Sequence, residues 1–171
     1  MIMKTISIFS KAIVIAGLVC LTSCSSSDSN DTTPTNPTKT TFKLDGVLIT
    51  ADETTATLYN NEVAGGQYLD VYAIKDGVQI LEMHMPAAAA SYPVQHVALT
   101  MTDSWLTYQA NAGATFPTDY FDSTTGNMNL TTYDLANHKL VGTFNFIGNN
   151  STSNKTITEG HLIANTITNN L

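Results

Sequence analysis

Gln67 to Ile74 (Gln-Tyr-Leu-Asp-Val-Tyr-Ala-Ile), Lys75-Asp76-Gly77 and Val78 to Met85 (Val-Gln-Ile-Leu-Glu-Met-His-Met) together decide the fold class. Both arms alternate apolar and polar residues with the period of two that a half-buried strand requires. Asp-Gly between such arms is a strong hairpin signal, because both residues tolerate positive φ. Two registers compete, and a slip of one residue exchanges the faces of the sheet. A two-residue turn sets Val71 opposite Glu82 and Asp70 opposite Met83, mixing charge into both faces. A three-residue turn with left-handed Gly77 pairs Ile74 with Val78. Leu69, Val71 and Ala73 then share a face with Leu81 and Met83, while Tyr68, Asp70 and Tyr72 lie opposite His84, Glu82 and Ile80. The second register separates apolar from polar and is the one expected.

The same texture extends to both sides. Phe42-Lys43-Leu44, Asp45-Gly46 and Val47-Leu48-Ile49 form a second hairpin, with Leu44 facing Val47 and Phe42 facing Ile49. Ala51 to Thr57 reads as a loop and Leu58-Tyr59 as a short strand. Pro86 to Pro93 is an alanine-rich connection, too short and too proline-bounded for a helix. Val94 to Met101 and Trp105 to Ala110 read as strands about Thr102-Asp103-Ser104. Asn111 to Gly126, punctuated by Gly and Pro, reads as a long loop or broken edge strand. Four more strands follow: Asn127 to Asp134, Lys139 to Ile147, Lys155 to Glu159 and His161 to Ile167. Gly160 marks a bulge or bend, and Met128 and Leu130 are expected to face Leu140, Phe144 and Phe146. Nine or ten strands without a helix or repeat predict an all-β domain: an antiparallel β-sandwich or partly closed β-barrel, mostly meander.

The N-terminal part has a different texture. Lys4 and Lys11 precede the apolar run Ala12 to Leu21, which is too short to span a bilayer (about 20 residues) but suits a secretory signal. Leu21-Thr22-Ser23-Cys24 closes it and resembles the lipobox of bacterial lipoproteins. The resemblance implies removal of residues 1–23, a diacylglycerol thioether on Cys24 and acylation of the new N-terminus, so that the lipid bilayer is one partner. Ser25 to Thr40 has no apolar residue beyond its prolines, so nothing in it offsets the entropy of ordering. With Cys24 it forms a tether, residues 24–40, leaving 41–171 as one β-domain. Serine rather than aspartate after the cysteine, and a Ser/Asp start like the export tags of Bacteroidota lipoproteins, imply an outer-membrane anchor with the domain facing outward.

Composition removes other classes. Without the signal, five lysines stand against 14 acidic residues, a net charge of −9, and there is no arginine. Nucleic acid as a partner requires a basic stripe that this chain lacks. Cys20 leaves with the signal and Cys24 carries lipid, so the domain holds no disulfide and is held by burial and sheet hydrogen bonds.

Thr132-Tyr133-Asp134, Lys139 to Phe146 (Lys-Leu-Val-Gly-Thr-Phe-Asn-Phe) and Thr156-Ile157-Thr158-Glu159-Gly160 resemble the C-terminal signature of an uncharacterised β-rich lipoprotein family of Bacteroidota. Phe42 to Ala51 resembles that family's first strand pair. The resemblance implies a lipobox, a polar tether and one β-domain, and it carries no catalytic residue. Physically the signature is a folding motif, in which Gly142 permits close approach of a neighbouring strand and Phe144 and Phe146 alternate into the core.

Chemistry-bearing residues are few. His84, His96, His138 and His161 have no pair at zinc-ligand spacing. Asp70, Glu82 and His84 form the candidate metal set, because in the chosen register the two carboxylates are directly opposite and a hard cation takes carboxylate oxygens. The same pair is the candidate for acid/base work in a hydrolase, since neighbouring carboxylates split their pKa values. A solvated sheet face is the simpler reading. Trp105, Tyr108 and Tyr120 are candidates for stacking on a sugar ring, with a half-buried core edge as the other reading. No serine elbow or phosphate loop is present. The expectation is a non-catalytic surface lipoprotein without a cofactor, interacting with a glycan or an envelope protein; the alternatives are a glycan or small-ligand binding module and a carboxylate hydrolase.

Overall fold

A computed structural model describes residues 37–60, 65–96 and 104–171. The signal, Cys24, most of the tether and residues 97–101 of the predicted Val94 to Met101 strand lie outside the described residues.

Among the described residues eleven strands form one mixed sheet: β1 (Thr41–Leu44), β2 (Val47–Thr50), β3 (Glu53–Asn60), β4 (Gln67–Lys75), β5 (Val78–Pro86), β6 (Ser91–Pro93), β7 (Trp105–Gln109), β8 (Tyr120–Asp134), β9 (Lys139–Asn149), β10 (Asn154–Ala164) and β11 (Ile167–Asn170). Their order is β11-β3-β4-β5-β7-β8-β9-β10-β1-β2, with β6 beside β8. The run from β3 to β10 is the expected meander, curled into a partly closed barrel around the buried side chains. The all-β expectation holds, and of the two architectures it is the barrel. One pair departs from antiparallel pairing, since β11 runs parallel to β3.

The two ends of the meander meet at Thr40, which is 1% exposed. Its hydroxyl donates to Ile163 O (3.1 Å) and accepts from Ile163 N (3.0 Å) and from Thr54 Oγ1 (2.8 Å). Its carbonyl accepts from Ala51 N at 2.9 Å. One hydroxyl thus uses its donor and both acceptor sites to join β10 to β3. Two residues after β10, β11 lies against β3 and covers the same seam.

Both Asp-Gly turns are two-residue turns with positive φ at both positions: Asp45 and Gly46, Asp76 and Gly77. The first hairpin has the expected register. The second corrects it: Lys75 pairs with Val78 and Ile74 with Gln79, and a bulge then sets Ala73 opposite Leu81. The extra residue restores the segregation of faces that a plain two-residue turn would lose. Leu69, Val71, Ala73, Leu81 and Met83 are all buried together, as expected. Opposite Asp70, however, stands His84, two residues beyond Glu82.

Three further boundaries differ. The predicted loop Ala51 to Thr57 is mostly strand, because Thr54, Ala56 and Leu58 alternate inward and the threonines suit a pleated edge. β8 begins at Tyr120, so only about the first half of the predicted Asn111 to Gly126 loop is irregular. Lys155 to Glu159 and His161 onward are one strand, bulged where Glu159 takes φ 49° and the register shifts before Gly160. Met128 pairs with Phe144 and Leu130 with Gly142 in the interior, where Leu140 and Phe146 are also buried. Gly142 is where a neighbouring strand comes close: an added Cβ would lie 2.7 Å from Asn129 O.

Candidate binding face

Residues of β4, β5, β7 and β8 that alternate with the core point away from it and build one continuous outer face. Strand pairing arranges them in rows. One row runs Thr57, Asp70, His84, Trp105; the next runs Thr55, Tyr72, Glu82, Thr107, Asp122, Asn149.

Aromatic rings run across the first row. Tyr59 stacks on Tyr68 (5.1 Å, 16°), Tyr68 leans on His84 (4.8 Å), and His84 stacks on Trp105 (5.3 Å, 7°). His96 packs against the same indole at 5.2 Å. Each imidazole also meets a carboxylate through Nδ1: His84 with Asp70 Oδ1 at 2.6 Å and His96 with Asp122 Oδ2 at 3.1 Å. An ionised carboxylate only accepts, so in the His84–Asp70 hydrogen bond Nδ1 of His84 is the donor. Thr107 Oγ1 donates to Asp122 Oδ1 at 2.7 Å.

His84 explains how the face tolerates its acids. Directly opposed carboxylates repel, but Asp70 and Glu82 are diagonal neighbours, with His84 opposite one and two residues from the other. Compensation is incomplete at Glu82. Burial holds its carboxyl above the usual range, Asp70 adds to this, and the Gln79 amide (3.3 Å) and His84 oppose it. Burial, with Glu82 and Asp70 nearby, pushes the Tyr72 hydroxyl up to about 12.

The sugar-stacking candidates do not form one surface. Trp105 and Tyr120 have outward parity, whereas Tyr108 is buried against Phe42 and Phe121. Residues 105 and 108 are three apart on one strand and so face opposite sides. Asp70, Glu82 and His84 share the outer face, but among the described residues no three His, Cys, Asp or Glu side chains are grouped to hold a metal. His138 sits at positive φ in the β8–β9 turn with Nδ1 2.8 Å from Ile167 O, and His161 on β10 pairs with Thr143 on β9, both away from this face. Sequence reasoning did not single out His96, Asp122, Thr107 and Tyr59 for this site. The parity of Thr107 and Asp122 would have placed them on it had β8 been extended back to Tyr120.

No protein-family model, curated protein or solved structure matches this chain.

Proposed function

We propose that the chain is a lipid-anchored, outward-facing outer-membrane lipoprotein whose β-domain is a non-catalytic interaction module. The observation that carries this is the run Leu21-Thr22-Ser23-Cys24 followed at once by sixteen polar and proline residues, ahead of a domain whose first buried residue is Thr40. Treated as a random coil, residues 25–39, up to the seated Thr40, give a reach of about 20 Å, from roughly 5–6 Å times the square root of length. One thioether-linked diacylglycerol and an N-acyl chain make a stable anchor, each buried methylene contributing about 0.8 kcal/mol.

The non-catalytic reading is supported by the outer face. Its two His–Asp pairs end on Trp105 rather than on a nucleophile, and the interior of the barrel is packed with apolar side chains. Labelling growing cells with radioactive palmitate tests the anchor. Wild type should carry label and sediment with outer membranes, and Cys24→Ala should do neither. Label retained in Cys24→Ala would sink this reading, as would a mature protein beginning before Cys24. Protease shaving of intact cells tests the outward placement, which fails if the domain is cut only after the outer membrane is opened.

A further inference from the structure

One edge of the sheet is guarded only by its shortness. β2 ends the strand order on one side, and among the described residues no strand lies beyond it. Stable proteins blunt such edges with brevity, charge, proline, a bulge or a cover. β2 is the 4-residue run Val-Leu-Ile-Thr, with no charge and no proline. It pairs with β1 without a register shift, and Val47 is 65% and Leu48 63% exposed.

The turn before it fixes how its backbone points. In a two-residue hairpin the residues flanking the turn exchange both hydrogen bonds, and every second pair after them does the same. Here these pairs are Leu44 with Val47 and Phe42 with Ile49, and the bond from Ala51 N to Thr40 O (2.9 Å) continues the series. The N–H and C=O groups of Leu48 and Thr50 therefore point away from β1. The same edge of a second copy, running antiparallel with Ile49 opposite Ile49, sets Leu48 against Thr50 and Thr50 against Leu48. Every outward group of these two residues then has a partner. On the inner side Ile49 meets Ile49 with Val47 as diagonal neighbour, apolar against apolar. Charge does not oppose the contact, because Lys43 and Asp45 beside β2 are paired within their own copy, with Glu159 and Lys155. The opposite edge, β11, reads Ile-Thr-Asn-Asn and offers no such apolar match to itself.

The root of the tether narrows what covers this edge. Thr40 bonds Ala51, the residue after β2, so the strand lies within its own length, about 13 Å, of the attachment point. Copies hung from one membrane by the same tether present β2 at one height, which raises their effective concentration. A short edge needs that help, being well below the roughly 20–30 residues a side of a standing complex. We propose that β2 pairs antiparallel with β2 of a second copy, two-fold about Ile49, joining two barrels through one continuous sheet at the membrane. That a second copy is the occupant rests on the lipid anchor proposed above, whereas the register of the pair does not.

The test oxidises intact cells with diamide after single cysteines are introduced into the full-length lipoprotein, and maps the disulfides by mass spectrometry. Ile49→Cys puts two thiols at a non-hydrogen-bonded pair with Cα atoms about 4.5 Å apart, within disulfide range. Thr50→Cys leaves its two copies about 8 Å apart, beyond that range. The 49–49 dimer should form at least about tenfold more readily than the 50–50 dimer. Leu48→Pro removes only an outward N–H, so it should leave the β1–β2 hairpin bonded and cut the 49–49 yield about tenfold. Thermal melts show whether Leu48→Pro folds, and if it does not, the comparison of positions 49 and 50 decides alone. Equal yields at 49 and 50 would mean random collision and would overturn the pairing, as would a folded Leu48→Pro protein that cross-links like its parent. A disulfide from position 49 to a different protein would replace the second copy with a foreign strand. Palmitate label on the same samples separates the two readings. Label without a 49–49 bond overturns the pairing alone, a 49–49 bond without label overturns the anchor alone, and the absence of both overturns both.

Discussion

The two halves of the barrel solve the same packing problem differently. In β8, β9 and β10 the strands are pinned by glycines at which the neighbouring backbone or ring occupies the place of a Cβ: Gly126, Gly142, Gly148 and Gly160. Their outward positions are largely threonine and asparagine, as in Asn127, Asn129, Thr131, Thr143, Asn145 and Thr156. The β3, β4, β5 and β7 half has no glycine in its strands. It fills the interior with Ala, Val, Leu and Met, and its outer face carries the acids, imidazoles and rings. Carboxylates beside the glycine half are comfortable, Asp45 being lowered by Lys155 and Thr156 and Asp134 by Asn137. Glu82 is raised. One half is arranged for stability, whereas the other holds Glu82 at an electrostatic cost.

The comparison breaks hardest at Gly126. A Cβ there would run into Asn145 O and lie 2.6 Å from Phe146 Cα, both backbone atoms that cannot turn aside. Gly126→Ala should lose about 3 kcal/mol or more, and may be compared with Ala73→Gly in the other half, expected to lose about 1 kcal/mol. Urea midpoints of the two variants check this. Equal losses would mean that the glycine pins are not what distinguishes the halves.

Next in size is the seam where the halves meet. Thr40→Val keeps the shape of the side chain but removes every hydrogen bond of its hydroxyl, leaving Ile163 N and Thr54 Oγ1 without their acceptor. A loss of about 1–3 kcal/mol is expected. Hydrogen exchange should show faster opening of β10 and β3 together, and an unchanged β4–β5 hairpin. Uniform loss of protection would place the role of Thr40 elsewhere.

A smaller effect of opposite sign belongs to Glu82. Its carboxyl is raised in the folded state, so its contribution to stability is fully present below the ordinary glutamate pKa. That contribution is lost as pH rises through the folded value. Glu82→Gln should therefore stabilise the domain at neutral pH, by on the order of 1 kcal/mol at most, and the gain should vanish in acid. Melting temperatures of both proteins across pH decide it. A gain that persists in acid would point to packing rather than charge.

Legibility from sequence followed the same division. Period-two alternation exposed the faces of β4 and β5, and the Phe144/Phe146 alternation exposed the core of β9, because burial imposes those patterns whatever the neighbours are. The bulge after Asp76-Gly77 left no mark, since its extra residue, Ile80, is apolar like Leu81 beside it. It moved the partner of Asp70 from Glu82 to His84, so Asp70 and Glu82 share the expected face with a different pairing. β3 hid among threonines that suit loops and strands alike. The parallel seating of β11 depends on the curl of the whole sheet, which no local pattern encodes.

The smallest expected effect sharpens the contrast from the stable side. Asp45 Oδ2 meets Lys155 Nζ at 2.7 Å, and Oδ1 accepts from Thr156 N at 2.9 Å, tying the first turn to β10. Both bonds lower its carboxyl, so the stability they contribute is present above the ordinary aspartate pKa and is lost as pH falls through the folded value. Asp45→Asn retains a side chain that tolerates φ 49° and can accept from Thr156 N, so only the charge is removed. The pair is largely exposed and screened, which limits the loss at neutral pH to about 0.2–1 kcal/mol, smaller in high salt. Measured across pH, the Asp45→Asn difference should shrink on acidification as a loss recovered, whereas that of Glu82→Gln shrinks as a gain forfeited. Differences of the same sign in the two variants would mean that both carboxylates meet the same kind of surroundings, and the electrostatic division between the halves would be gone.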